Sequence, residues 1–185
     1  MFDLKAIDKS WTLFLDRDGV MNYEIPGTYV RNWKEFVFYP RAVDNIIFFN
    51  TRFQRIFLAT NQRGISREMM TLADLDDIHA RMLRAIERGG GKIDRVYVCT
   101  DADVSSPCRK PNPGMAFQAV SDFPETDLKK SIMVGNNISD MLFGKNAGMK
   151  TIYLKTTDPD LSLPHDAIDL YFENLDAFAV SLEKS

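Results

Sequence analysis

Short apolar runs alternating with helically patterned stretches constrain this chain more than any other feature. Trp11–Leu15, Arg55–Ala59, Val96–Cys99, Ser131–Gly135 and Thr151–Leu154 are too short to be buried helices and too apolar to be half-exposed strands. Ile168–Phe172 offers a sixth such run in the tail. Between them lie amphipathic stretches. Val43, Ile46, Ile47 and the segment 50–53 form an apolar stripe after Pro40, a residue suited to a helix first turn. Thr71–Asp74 has the form of a capping box and opens a helix whose core face is Leu72, Leu75, Ile78, Met82, Leu83 and Ile86, stopped at Gly89–Gly91. Further helices are expected over 114–123, over 138–147 up to Gly148, and at the end of the chain through Leu182. Residues 20–39 read as irregular, with a brief extended piece near Phe36 and Phe38. Strands alternating with helices predict an α/β fold, a Rossmann-like three-layer α/β/α sandwich with a mainly parallel sheet.

The bulk properties narrow the class. At 185 residues the chain is long enough for a proper core and reads as one domain spanning 1–185. A formal charge of −3 with scattered Lys and Arg argues against a nucleic-acid partner. No apolar run reaches membrane-spanning length, and the first ten residues lack the apolar centre of a signal peptide, so a cytoplasmic protein that is a monomer or weak homo-oligomer is expected. Two cysteines, Cys99 and Cys108, make no secreted disulfide framework and read as free thiols in a reducing compartment.

In a parallel sheet ligands bind beyond the carboxyl ends of the strands, and four of these runs end in chemically loaded residues. The first ends in Asp16-Arg17-Asp18-Gly19, where side chains two apart point the same way and both carboxylates can face one volume. Close carboxylates repel unless a proton, a cation or a metal intervenes. An isolated Asp-X-Asp-Gly is more often an ordinary loop, and a calcium loop is excluded by the position of Gly19. The second run ends in Thr60-Asn61, whose hydroxyl and following amides can hold phosphate oxygens. The third is followed by Arg109-Lys110 among Pro107, Pro111 and Pro113, two stiffly held cations suited to neutralising phosphate. The fourth ends in Gly135-Asn136-Asn137-Ile138-Ser139-Asp140, with Asp140 in the first turn of a helix. His79 and His165 abut none of these motifs and read as structural, as do Met69-Met70 and Phe48-Phe49.

Asp-Arg-Asp-Gly-Val, Thr-Asn-Gln-Arg-Gly-Ile, Cys-Arg-Lys-Pro-Asn-Pro-Gly-Met and Val-Gly-Asn-Asn-Ile-Ser-Asp-Met, in that order, resemble the haloacid dehalogenase (HAD) superfamily. Within it the chain is most similar to the D-glycero-D-manno-heptose 1,7-bisphosphate phosphatases and the related histidinol-phosphate phosphatases, over residues 11–155. The resemblance implies a magnesium-dependent phosphomonoesterase working on a small phosphorylated sugar, with removal of the 7-phosphate of heptose 1,7-bisphosphate as the leading expectation. Histidinol phosphate is the alternative substrate, and a catalytically impaired sugar-phosphate-binding protein the alternative of another class. It implies Asp16 as nucleophile through an aspartyl-phosphate and Asp18 as general acid, then base. Magnesium is implied at Asp16, the Asp18 carbonyl and Asn136, supported by Asp140, with Thr60, Asn61, Arg109 and Lys110 on the substrate. The short stretches between motifs imply a capless enzyme whose rim is formed by the loops 20–39 and 101–108.

Three departures stand out. Asn136 replaces an Asp of the fourth motif, which removes a charge and lowers the expected magnesium affinity. Asn137 stands where heptose phosphatases carry Lys. The family's structural zinc site is expected to be lost, because Asp101 and Ser106 replace two of its four ligands beside Cys99 and Cys108.

Overall fold

The computed structural model describes residues 2–158 and 160–185. In chain order the elements are β1 (Thr12–Leu15), α1 (Ala42–Arg52), β2 (Arg55–Asn61), α2 (Leu72–Arg88), β3 (Arg95–Cys99), α3 (Gly114–Asp122), β4 (Ser131–Gly135), α4 (Ile138–Ala147), β5 (Lys150–Leu154), β6 (Leu170–Phe172) and α5 (Leu175–Glu183). The six strands pair in parallel in the order β3-β2-β1-β4-β5-β6. This is the expected Rossmann-like parallel sheet. Strand order reverses between β1 and β4, and at such a switch point helices leave to opposite faces and open a crevice.

Alternation along the strands explains the three layers. Leu13, Leu15, Ile56, Leu58, Ile132 and Val134 face one way, onto Ile46 and Phe49 of α1, Ile78 and Met82 of α2 and Phe178 of α5. Phe14, Phe57, Ala59, Tyr97 and Met133 face the other way, onto Met115 and Ala119 of α3 and Phe143 of α4. Helix α2 begins with the expected capping box: Thr71 accepts from the Asp74 amide and Asp74 from the Thr71 amide. Helix α4 is closed by Gly148 at φ 84°, a left-handed position that glycine adopts without strain.

Several local expectations shift. Helix α1 starts at Ala42, because Arg41 takes the left-handed conformation at φ 60° and turns the chain into the helix. Leu72, expected on the core face, stands at the first helical position of α2 and is 59% exposed. Met70 is buried but Met69 is exposed. The sixth strand is confined to three residues at the sheet margin. The 20–39 loop is irregular yet packed, with Met21, Val30 and Phe36 buried and Trp33 stacked on Phe36.

The cysteines differ most from expectation. Cys99 ends β3 and Cys108 lies in the loop that follows, with Cα atoms 5.5 Å apart and sulfurs joined as a disulfide, not two free thiols. The loop brings them together by doubling back on itself. Asn112 donates to the Val104 and Ser106 carbonyls, and Arg109 to the Asp101 carbonyl. A reducing compartment inferred from free thiols loses that support. Asp101 lies in the same cluster, its carboxylate and both sulfurs within 4.8 Å of one another. Joined sulfurs are not thiolates, the form in which cysteine ligates zinc. Among the described residues, no helix is long and apolar enough to cross a membrane.

Candidate active site

The site forms where β1 stops. The Asp16 amide still donates to the Val134 carbonyl of β4 at 3.0 Å, so Asp16 is held at the switch point of the sheet. The chain then turns: the Met21 amide donates to the Arg17 carbonyl at 2.8 Å, and Gly19 takes φ 79°. Asp16 and Asp18 line the same cavity, as their spacing suggested, while Arg17 points to the other side and is fully buried. Arg17 Nη2 lies 2.8 Å from Asp18 Oδ2, its Nη1 lies 3.0 Å from His79 Nε2, and Nη2 also donates to Gln62 Oε1 at 3.3 Å. Asp18 further accepts from Asn22 at 2.8 Å and from Gln62 at 2.9 Å. Burial opposes the Asp18 charge, but Arg17, Asn22 and Gln62 outweigh it and hold the carboxyl below its usual range.

His79 therefore does abut the first motif, contrary to the reading from sequence. It is buried beside a guanidinium, and burial and that charge push its pKa down to about 3. With Arg17 donating to Nε2, the neutral ring carries its proton on Nδ1.

Lys110 is the second organiser. Its ammonium is buried and contacts Asp16 Oδ1 at 2.9 Å, Asp140 Oδ1 at 2.7 Å and the Ala59 carbonyl at 2.7 Å. Burial works against this charge, but Asp140 and Asp16 more than compensate and raise its pKa. Burial pushes Asp16 up to about 6; Lys110 opposes the rise, and Asp140 and Asp18 add to it. Asn61 fixes the lysine: its Nδ2 donates to the Lys110 carbonyl and its Oδ1 accepts from the Lys110 amide, both at 3.1 Å. The Asn61 side chain, expected on phosphate, is thus used on the loop. Thr60 is buried on the cavity wall, its hydroxyl accepting from Gln62 at 2.9 Å.

At the end of β4, Asp140 Oδ2 accepts the amides of Asn136 and Asn137 at 3.2 and 3.0 Å while Oδ1 holds Lys110. Both oxygens are engaged by protein groups, so Asp140 anchors Lys110 and the start of α4. Asn136 and Asp16 differ. Asn136 Oδ1 is buried with no hydrogen-bond partner among the described residues, and Asp16 Oδ1 meets Lys110 without forming a well-directed bond. The unpartnered Asn136 oxygen and the Asp16 carboxylate line one cavity, and oxygen donors of this kind suit a hard cation such as magnesium.

The cavity measures about 420 Å³. Glu24, Ile25, Thr28 and Tyr29 of the 20–39 loop and Val104 of the 101–108 loop form its rim. Arg63 and Arg109 stand in its wall. Arg63 donates to the Tyr29 hydroxyl at 2.8 Å, and burial with the nearby charges of Arg63 and Arg67 lowers the Arg109 pKa. Lys110 is matched by two aspartates, whereas Arg63 and Arg109 have no carboxylate within ion-pair distance among the described residues. Arg17, Gln62 and Arg63 were given no role from the sequence, and His79 only a structural one. A charged Arg17 directly after a buried strand was the one available signal.

Known proteins resemble the chain over most of its length. The HAD-hydrolase-like family profile matches residues 107–178. The D-glycero-alpha-D-manno-heptose-1,7-bisphosphate 7-phosphatase of Campylobacter jejuni subsp. jejuni is 38% identical over 146 residues, covering 79% of this chain and 83% of its own. The enzyme of that name from Mycobacterium tuberculosis is 31% identical over 173 residues, 93% of this chain and 91% of its own. The crystal structure of D,D-heptose 1,7-bisphosphate phosphatase from B. bronchiseptica, complexed with magnesium and phosphate, matches with a TM-score of 0.84 at 28% identity, covering 94% of this chain and 98% of that one.

Two stability measurements follow from this geometry. Lys110→Met leaves two buried carboxylates facing each other and is expected to cost about 3–5 kcal/mol in urea unfolding near neutral pH. An unshifted midpoint would show that the lysine is not what holds them. For His79, the unfolded chain takes up a proton near pH 6.5 that the folded protein refuses until about pH 3. Stability present above pH 6.5 is therefore lost as pH falls through that window, at up to about 1.4 kcal/mol per pH unit. His79→Gln keeps an acceptor for Arg17 and is expected to flatten this part of the stability profile; an unchanged slope would contradict the assignment.

Proposed function

This chain belongs to the family of HAD-like phosphatases that includes the D-glycero-manno-heptose-1,7-bisphosphate 7-phosphatases, and from that premise we propose that it removes the 7-phosphate of a heptose 1,7-bisphosphate with magnesium. The observation that carries the reading is the pairing of Asp16 with a buried, doubly matched Lys110 beside the unpartnered Asn136 oxygen. Asp16, Asn136 and the Asp18 main-chain carbonyl would hold magnesium. When bound, the ion supplies the positive charge that lets an anionic nucleophile approach an anionic phosphoryl group.

The chain's own residues do the rest. Asp16 attacks phosphorus, forming an oxygen–phosphorus bond as the bond to the sugar oxygen breaks. Lys110 keeps the Asp16 carboxylate in place, and Thr60 and the Asn61 amide hold phosphate oxygens; the Gln62 amide is spent on the Cys99 carbonyl. Asp18 gives its proton to the departing sugar oxygen, then takes one from the water that attacks the aspartyl-phosphate and regenerates Asp16. The network of Arg17, Asn22 and Gln62 favours the ionised form of Asp18, so the proton it donates is taken up from solvent when the phosphate dianion binds beside it and raises its proton affinity.

Arg63 and Arg109 favour one substrate over the other. A bisphosphate brings a second anion to these two cations, whereas histidinol phosphate brings a cationic amine to the same wall. With magnesium present, kcat/KM for heptose 1,7-bisphosphate is expected to exceed that for histidinol phosphate by about 100-fold or more, the scale of unpaired-charge discrimination. The opposite ranking would reassign the substrate, and no phosphate release from either would remove the reading. Asp16→Asn is expected to abolish turnover while phosphate still binds, which separates an enzyme from a sugar-phosphate-binding protein.

A further inference from the structure

Asn136 poses a problem that a carboxylate would not. An aspartate presents an oxygen whichever way it turns, but a carboxamide has an oxygen at one end and two N–H donors at the other. Turned the wrong way, Asn136 would aim N–H groups at a cation. Its orientation must therefore be fixed by its surroundings.

The segment leaving β5 supplies the fixing contacts. Thr156 Oγ1 donates to the Gly19 carbonyl at 2.5 Å, and Asn136 Nδ2 donates to Thr157 Oγ1 at 2.5 Å. Adjacent threonines thus clasp the first and fourth motifs together. Glycine at position 19 makes room for the amide, since a Cβ there would stand 2.0 Å from Asn136 Nδ2. With its nitrogen end on Thr157, Asn136 turns its oxygen end inward, where it is buried without a partner in the cavity shared with Asp16. A hydroxyl can also donate, so Thr157 alone does not choose between the two amide orientations. The choice is made jointly: a cation takes the oxygen, and Thr157 satisfies the N–H group left on the other side.

We propose that Thr157 is a positioning residue that orients the Asn136 carboxamide, oxygen inward, for the divalent cation; the inference rests on the magnesium reading above. It acts through Asn136 and touches neither substrate nor reacting atoms. Thr157 is exposed, so its replacement does not open the core.

The test is a manganese titration without substrate, following the free ion by electron paramagnetic resonance. Thr157→Val keeps the shape and removes the hydroxyl, and is expected to weaken manganese binding about tenfold, as loss of a ligand's supporting hydrogen bond does. Thr157→Ser is expected to stay within about twofold of wild type, because the acceptor remains. In an Asn136→Asp background, Thr157→Val is expected to change affinity by less than about twofold, because a carboxylate needs no orienting partner. Wild-type protein that binds no manganese would remove the magnesium reading and this inference with it. Wild-type binding that Thr157→Val leaves unchanged, or an equal loss in both backgrounds, would overturn the inference alone.

Discussion

A buried ammonium between two carboxylates is the interaction on which this structure depends. Lys110 meets Asp16 at 2.9 Å and Asp140 at 2.7 Å, tying the end of β1 to the start of α4 across the switch point of the sheet. Without it, two acidic groups would lie in a low-dielectric crevice where each raises the other's cost of ionisation. With it, Asp16 is oriented and α4 is anchored. The loop carrying Lys110 is held in turn by Asn61 and by the disulfide that returns Cys108 to the end of β3. The cation is thus held by its backbone as well as by its charge.

A second layer of charge lies behind the first. Arg17 is buried with Asp18, Gln62 and a neutral His79 around it, which fixes Asp18 while leaving its carboxylate on the cavity wall. The two aspartates of the first motif are therefore set in opposite environments. Asp16 is pushed up to about 6 by burial, and Asp18 is held low by its partners. The cavity wall adds Arg63 and Arg109, two cations with no carboxylate within ion-pair distance among the described residues.

The fold was legible because its signal is repetitive. Each strand is a short apolar run, each helix has its stripe or cap, and ligand chemistry gathers at one end of the sheet. The residues lining the cavity were legible for the same reason, since Asp16, Thr60, Lys110 and Asn136 each follow a strand or lie in the loop after one. What could not be read was how side chains divide among partners. Asn61 serves the Lys110 backbone, Asp140 gives both oxygens to protein groups, and His79 reaches Arg17 from 62 positions away. These contacts depend on which helix covers which face, and no local pattern encodes that. The Cys99–Cys108 bond escaped for a related reason, because nothing in a nine-residue separation shows that the loop doubles back.

Asp16 and Asn136 are proposed to take the cation while Asp140 stays with Lys110. A crystal structure with magnesium and phosphate decides this. Magnesium is expected about 2.0–2.1 Å from one Asp16 oxygen and from the Asn136 amide oxygen, with Lys110 still joining Asp16 to Asp140. Magnesium bound directly by Asp140 with Lys110 displaced, or Asp16 turned out of the cavity, would contradict it.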